Sequence, residues 1–166
     1  MRLRGLILTV FSLLPGPAAA QDRIWSVDLV VGYAGFVDDA TKRYPVADLA
    51  IRRYVTPRLS IGPELTVMAN GDELRDRIIM LTGNATVDLV PAGDVITRVA
   101  PFLVGGIGIF RGRERFVRET FWTRDPAFTA GGGIRIRVSD RMSAAAEYRV
   151  GWELHQRFTG GAVLHW

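Results

Sequence analysis

The chain has 166 residues and a formal net charge of +4; 48% of its residues are apolar, 23% are charged and none is cysteine. These values exclude a disordered chain, a disulfide framework and any site that needs a thiolate. After the first residues, no stretch reaches the ~18 consecutive apolar residues of a membrane-spanning helix. Mean hydropathy is nevertheless positive, at +0.15, so the apolar residues must follow a dispersed pattern.

The first residues have the pattern of an export signal. Arg2 and Arg4 precede a short apolar run, and a Pro-Gly-Pro breaker leads into the small residues Ala18 to Ala20. This order predicts a cleaved signal peptide at 1–20 and a single β-barrel domain at 21–166. Loss of the two arginines lowers the net charge from +4 to +2, so the basic balance does not predict a nucleic-acid partner.

The rest of the chain alternates apolar and polar residues, with clusters of Gly, Pro, Asp and Asn between the alternating segments. A period of two predicts β-strands that have one apolar and one polar face. Eight strands are predicted, at about 25–34, 46–55, 59–67, 77–90, 97–110, 128–138, 142–152 and 158–166. The fifth is apolar on both faces and rich in glycine.

The predicted connections alternate in length. Tight turns are expected at 56–58, 91–94 and 139–141. Longer polar loops are expected at 36–44, 70–76 and 111–125. Short turns at one rim, longer loops at the other and an even strand number predict an all-β, antiparallel, up-and-down transmembrane barrel. Both termini would then lie at the short-turn rim, in the periplasm.

The polar faces carry charges of both signs. In a membrane barrel the apolar faces meet lipid and the charges lie inside, where each needs a partner. The predicted lumen ion pairs join Asp28, Asp48, Glu64, Asp88 and Glu147 to Arg52, Arg98, Arg135, Arg137 and Arg149. Aromatic residues end the apolar faces, as at a membrane interface. The alternative is a secreted, lipocalin-like barrel with an apolar core.

Three segments carry a resemblance to a known family. Residues 101–110, 131–141 and 146–149 read PFLVGGIGIF, GGGIRIRVSDR and AEYR, and they resemble the outer-membrane β-barrel domain family of small OmpA/OmpX-like barrels. We expect a monomer in the bacterial outer membrane, in contact with lipid and lipopolysaccharide. The resemblance covers 22–166. It implies insertion by the outer-membrane assembly machinery, which would read a signal at Phe158, Leu164 and Trp166.

No catalytic residue, cofactor or metal site is predicted. Two histidines without cysteine form no metal-binding pattern. His155 lies at the long-loop rim, where lipid A deacylases of similar fold act, but Arg157 stands where their His-x-Ser pattern needs serine. His155 and His165 are therefore expected to be structural. Gly105 to Gly108 does not have the spacing of a phosphate-binding loop.

The segment 111–125 is the one candidate binding loop, because planar guanidinium groups suit phosphate. Its predicted contacts with lipopolysaccharide phosphates or an acidic surface polymer are Arg111, Arg113, Arg115, Arg118, Trp122 and Arg124. The alternative is a solvated hairpin whose aromatic residues pack on the rim. The sequence thus predicts a non-enzymatic outer-membrane barrel with a structural or surface-interaction role. A narrow channel and a lipid A-modifying enzyme are the other candidates.

Overall fold

A computed structural model describes residues 24–36, 39–69, 77–90, 98–116, 119–152 and 155–166. The predicted signal peptide at 1–20, the loop at 70–76 and the turn at 91–94 lie outside these residues. No helix in the described ranges is long and apolar enough to span a membrane.

The described residues form eight strands, each antiparallel to its neighbours. The strands are β1 (Trp25–Phe36), β2 (Asp39–Tyr54), β3 (Leu59–Ala69), β4 (Arg77–Asp88), β5 (Val99–Phe116), β6 (Glu119–Arg137), β7 (Met142–Gly151) and β8 (His155–His165). Consecutive strands pair in order, and β1 pairs with β8 from Ser26 opposite His165 to Phe36 opposite His155. The predicted all-β, up-and-down closed barrel is confirmed.

Barrel closure is completed at the chain ends. The Trp166 carbonyl accepts hydrogen bonds from the backbone N–H groups of Ile24 and Trp25, at 3.1 and 3.0 Å, and Trp166 donates to the Trp25 carbonyl at 3.1 Å. A closed barrel has no sheet edge, so its backbone polar groups are paired within the sheet, as a bilayer requires.

The outer surface of the barrel is apolar. Leu29, Ile107 and Phe158 point outward and are 59%, 75% and 63% exposed, while their alternate neighbours point into the lumen. Exposed apolar area on this scale is unfavourable in water, at about 25 cal/mol per Å². The facing is therefore that of a membrane barrel and not that of the lipocalin-like alternative.

Two predicted loops are wrong, because paired strands run through them. β2 begins at Asp39, and β5 and β6 continue as a hairpin in which Arg111 lies opposite Arg124 and Phe116 opposite Glu119. These extensions lack a continuous apolar face, so apolar–polar alternation does not reveal them as strands. Their backbones still pair, because backbone hydrogen bonding does not depend on side-chain polarity. The predicted turns at 56–58 and 139–141 are present as bends.

Candidate functional site: a charged lumen and an arginine-rich rim

The inner faces of seven strands bring together nine charged side chains, counted among the described residues. This set, the lumen network, consists of Asp28, Asp48, Arg52, Glu64, Asp88, Arg135, Glu147, Arg149 and Arg157. Each of these residues is at most 6% exposed. A buried charge is tolerated only with a partner, so each member of the network depends on its contacts with the others.

Glu64 is the centre of the lumen network. Arg149 donates two hydrogen bonds to its carboxylate, at 3.0 and 2.8 Å, and Arg157 donates one at 2.6 Å. Arg52 approaches the same carboxylate at 3.5 Å. Arg157 also donates to Asp48 Oδ1 at 3.1 Å. The two-pronged contact with Arg149 is the geometry in which guanidinium and carboxylate interact most strongly.

The lumen network continues toward the short-turn rim. Arg52 bonds Asp28, and Arg135 lies 2.5 Å from Asp88 Oδ1 and 3.9 Å from Asp28. The Arg135 guanidinium also lies over the Phe102 ring, 4.4 Å from its centroid. The contacts therefore run without a break from β4 and β6 through β1 and β2 to β3. They join strands that are not neighbours in the sheet.

Two arginines predicted for the lumen lie outside the network, and one that was not predicted lies inside it. Arg98 is exposed just before β5, and Arg137 is half-buried at the end of β6. At a strand end a long side chain reaches water, which removes the need for a lumen partner. Arg157 was missed because the last strand was predicted to begin at Phe158, whereas β8 begins at His155.

Inward-facing glycines on β5 and β6 make room for the lumen side chains. A Cβ atom on Gly131 would lie 2.1 Å from the Tyr148 carbonyl oxygen and 2.8 Å from Cγ of Arg149. One on Gly106 would lie 1.7 Å from Oδ1 of Asn84. The glycine-rich strands that marked the family resemblance are thus the wall against which these side chains pack.

Toward the long-loop rim the lumen becomes apolar. The apolar plug consists of Ala34, Tyr44, Val46, Met68, Ile78, Met80, Phe110 and Ala127, with Phe36 packed against it. Met68 and Met80 are at most 1% exposed, and methionine fills irregular gaps well. The plug was not predicted, because its members alternate with outward residues that are mostly apolar too, so these stretches show no polar face.

The two histidines lie inside the barrel wall. His155, the first residue of β8, is 2% exposed. Its Nδ1 lies 2.6 Å from the Trp152 carbonyl oxygen, and its ring centroid lies 5.9 Å from that of Phe36. His165 is half-buried, with Nε2 3.3 Å from Oγ of Ser143. Within the described residues, no group of three or more His, Cys, Asp or Glu is placed to hold a metal ion.

A second charged cluster lies on the outer face of the β4–β5–β6 sheet at the long-loop rim. The rim patch comprises Arg77, Arg111, Arg113, Arg124 and Trp122, which are all exposed. Arg111 lies opposite Arg124, and Arg77 opposite Arg113. The guanidinium carbons of Arg111 and Arg113 lie 4.4 and 5.5 Å from the Trp122 ring centroid. The indole therefore packs against arginines of its own hairpin.

The rim patch differs in membership from the predicted binding loop. Arg118 and the side chain of Arg115 lie outside the described part of the chain. Arg77 was not predicted, because it belongs to a different strand and reaches the patch only through the pairing of β4 with β5.

The proposed assembly residues share one orientation. Phe158, Leu164 and Trp166 all point outward and are exposed. Trp25 and Trp166 lie together at the short-turn rim, where the two chain ends pair.

Known structures of similar fold include those of three bacterial proteins. Neisserial surface protein A matches with a TM-score of 0.69 and 12% identity, over 90% of this chain and 100% of that chain. Ail of Yersinia pestis, in complex with the heparin analogue sucrose octasulfate, matches with a TM-score of 0.61 and 11% identity, over 87% and 97%. The N-terminal barrel domain of Pseudomonas aeruginosa OprF matches with a TM-score of 0.59 and 13% identity, over 84% and 96%.

No protein-family model and no curated protein sequence matches the chain. The likeness at these identities is one of fold, and it agrees with the closed barrel, the apolar exterior and the charged lumen. The chain has the eight-stranded fold of the small, OmpA/OmpX-like outer-membrane β-barrels.

Proposed function

We propose that this protein is a non-enzymatic barrel of the bacterial outer membrane whose rim patch binds phosphate groups of lipopolysaccharide. In this proposal the short-turn rim and both termini face the periplasm, and the long-loop rim faces outward. The main support is that Arg111 lies directly opposite Arg124, and Arg77 directly opposite Arg113, on paired strands.

Like charges that lie directly opposite each other on paired strands destabilise a sheet. Four arginines in such an arrangement are therefore unfavourable on their own and become favourable when an anion lies between them. Guanidinium groups bind phosphate through two parallel hydrogen bonds, which makes arginine suited to this role.

The position of the rim patch favours a lipid phosphate over a soluble polymer. Arg111 lies opposite Ile79, and the next outward pair toward the membrane is Leu81 with Ile109. The arginines thus begin where the outward apolar surface ends, at the level of lipid headgroups. Exposed tryptophan, here Trp122, is enriched at the same level.

One solved structure of this fold supports anion binding in general. Ail of Yersinia pestis has been solved with the heparin analogue sucrose octasulfate, so a barrel of similar fold accommodates a highly anionic sugar.

Binding of lipopolysaccharide to the purified barrel in detergent tests the proposal. The double variant Arg111→Gln/Arg124→Gln should weaken binding by roughly 30-fold, at about 1 kcal/mol for each arginine. The matched control is Arg58→Gln/Arg141→Gln, which removes two exposed arginines at the short-turn rim. Equal binding by the two double variants would refute the rim patch. If the barrel binds a polysulfated sugar but does not bind lipopolysaccharide, the proposed ligand is refuted.

The non-enzymatic part of the proposal is supported by the position of His155. Its ring is buried and its Nδ1 contacts the Trp152 carbonyl, so this nitrogen is not presented to a lipid substrate. Lipid A from cells that express the wild type or His155→Ala should have identical mass spectra. A mass difference that requires His155 would establish the enzyme alternative.

We also propose that 1–20 is a cleaved signal peptide and that the assembly machinery inserts the chain as a monomer. The outward Phe158, Leu164 and Trp166 support a recognition signal on β8. The mature protein should begin at Gln21 on N-terminal sequencing, and Trp166→Ala should slow its insertion. An uncleaved N-terminus would refute the predicted signal peptide.

A further inference from the structure

We propose that a groove on the lipid-facing surface of β2 to β5 binds one phospholipid, with its phosphate at Arg53 and an acyl chain along the groove. The groove has a volume of about 1020 Å³. Its lining includes Ile51, Arg53, Pro63, Gly83, Gly105 and Ile107.

The groove exists because several outward positions carry little or no side chain. Pro63 lies opposite Gly83, and Gly105 lies opposite Ala85. Ile107, which lies opposite Gly83, is 75% exposed and forms a wall. A Cβ atom on Gly83 or Gly105 would find no heavy atom nearer than 3.8 Å, so the protein leaves this space unfilled.

A local break in strand pairing coincides with the groove. The β2–β3 register runs to Ala50 opposite Glu64 and resumes at Arg53 opposite Ile61. Pro63, within this gap, has no backbone N–H to donate to the ladder. Proline inside a closed barrel weakens the sheet, and here it accompanies a surface depression.

The groove has the length of one membrane leaflet. It begins at Arg53, one residue before the end of β2, and reaches Gly105, six residues beyond the start of β5 at Val99. Gly105 therefore lies five residues deeper than Arg53, which is roughly 17 Å along a strand and, at a tilt of about 40°, roughly 13 Å across the bilayer. This is about half of the ~30 Å hydrocarbon core.

Arg53 supplies the charge that selects the occupant. It points outward at the short-turn rim, opposite Trp25 in the sheet, and its guanidinium carbon lies 5.8 Å from the Trp25 ring centroid. Arginine beside tryptophan marks the headgroup level, where a lipid phosphate complements the charge. A second copy of the chain in the same groove would bring two such arginines into an apolar contact, so the charge favours a phospholipid.

Native mass spectrometry of the full mature barrel, released from detergent with added phosphatidylglycerol, tests the proposal. Gly83→Leu fills the groove with an apolar side chain, and Arg53→Gln removes the charge. Each change should weaken phospholipid binding by about fivefold. The matched controls are Gly160→Leu, an outward glycine on β8 whose Cβ would lie 3.4 Å from its nearest neighbour, and Arg141→Gln at the same rim.

Equal lipid retention by Gly83→Leu and Gly160→Leu would overturn the groove as the site. A mass of two protein copies that Gly83→Leu abolishes would assign the groove to a dimer. Preferential retention of lipopolysaccharide would assign it to the opposite leaflet. Heat-dependent gel mobility checks folding, and Arg53→Gln, on the lipid-facing surface, keeps the test valid if Gly83→Leu does not fold.

Discussion

At the scale of single residues, Glu64 has the greatest structural consequence. Its carboxylate contacts Arg52, Arg149 and Arg157, which come from three different strands. Among the described side chains of the lumen network, five carboxylates face four guanidinium groups, so the two signs nearly balance. The stability of the barrel therefore depends on mutual compensation and not on any single pair.

We predict that Glu64→Gln lowers the free energy of unfolding by about 3–5 kcal/mol, because it leaves three buried guanidinium groups short of a partner. Urea unfolding of the barrel in lipid vesicles, followed by tryptophan fluorescence, measures the change. Asp140→Asn removes an exposed carboxylate at a turn and should have an effect below ~0.5 kcal/mol. Glu64→Gln with the stability of the wild type would show that the other carboxylates of the lumen network compensate these arginines without Glu64.

At the scale of elements, the alternation of apolar and polar residues determines which face of each strand points outward. The neighbouring strands limit how large a side chain can be at each position. β5 and β6 place inward glycines beside Asn84 and Arg149, which belong to the flanking strands β4 and β7. Outward glycines on β5, such as Gly105, have no such contact. The same residue type thus has a different role on each face of one hairpin.

We expect Gly131→Ala to destabilise the barrel by about 1–3 kcal/mol or to prevent folding, because the new methyl group would overlap the Tyr148 carbonyl. Gly105→Ala, whose Cβ atom would lie 3.8 Å from its nearest neighbour, should be nearly neutral. Heat-dependent gel mobility and urea unfolding of both variants make the comparison. Equal effects would mean that the inward wall does not constrain packing.

The direction in which β1 faces has its own test. Leu29→Arg should cost about 2–4 kcal/mol or block insertion, because it places a charge in the lipid-facing surface. Ser139→Arg, at an exposed turn, should be silent. The yield of inserted barrel and its unfolding free energy provide the measurement. Tolerance of arginine at position 29 would reverse the assigned facing.

At the scale of the whole molecule, the lumen has two layers. The lumen network occupies the part toward the short-turn rim, and the apolar plug occupies the part toward the long-loop rim. An eight-stranded barrel is just wide enough for its own side chains, and an apolar constriction resists wetting. Both layers weigh against the channel alternative.

We therefore predict that the purified barrel produces no stable current steps in a planar lipid bilayer. The physical reason is the plug, whose Met68 and Met80 are fully buried. Reproducible steps from the wild-type protein would contradict the prediction and establish a conducting lumen.

The sequence by itself determined the number of strands and eight of the nine members of the lumen network. It also determined that apolar residues face outward and charged residues face the lumen. These follow from a period of two and from the polarity of alternate residues, which are local properties. The predictions were wrong where a strand continues without a continuous apolar face, as in the β5–β6 hairpin and at the start of β8, where Arg157 was missed.

Only the tertiary structure decided which residues meet. The convergence of Arg52, Arg149 and Arg157 on Glu64, the arrival of Arg77 at the rim patch and the apolar plug all depend on register and closure. The phospholipid groove depends on them as well, because its lining comes from several strands. Alternation assigns a residue to a face, but only the pairing of strands around a closed barrel assigns its neighbours.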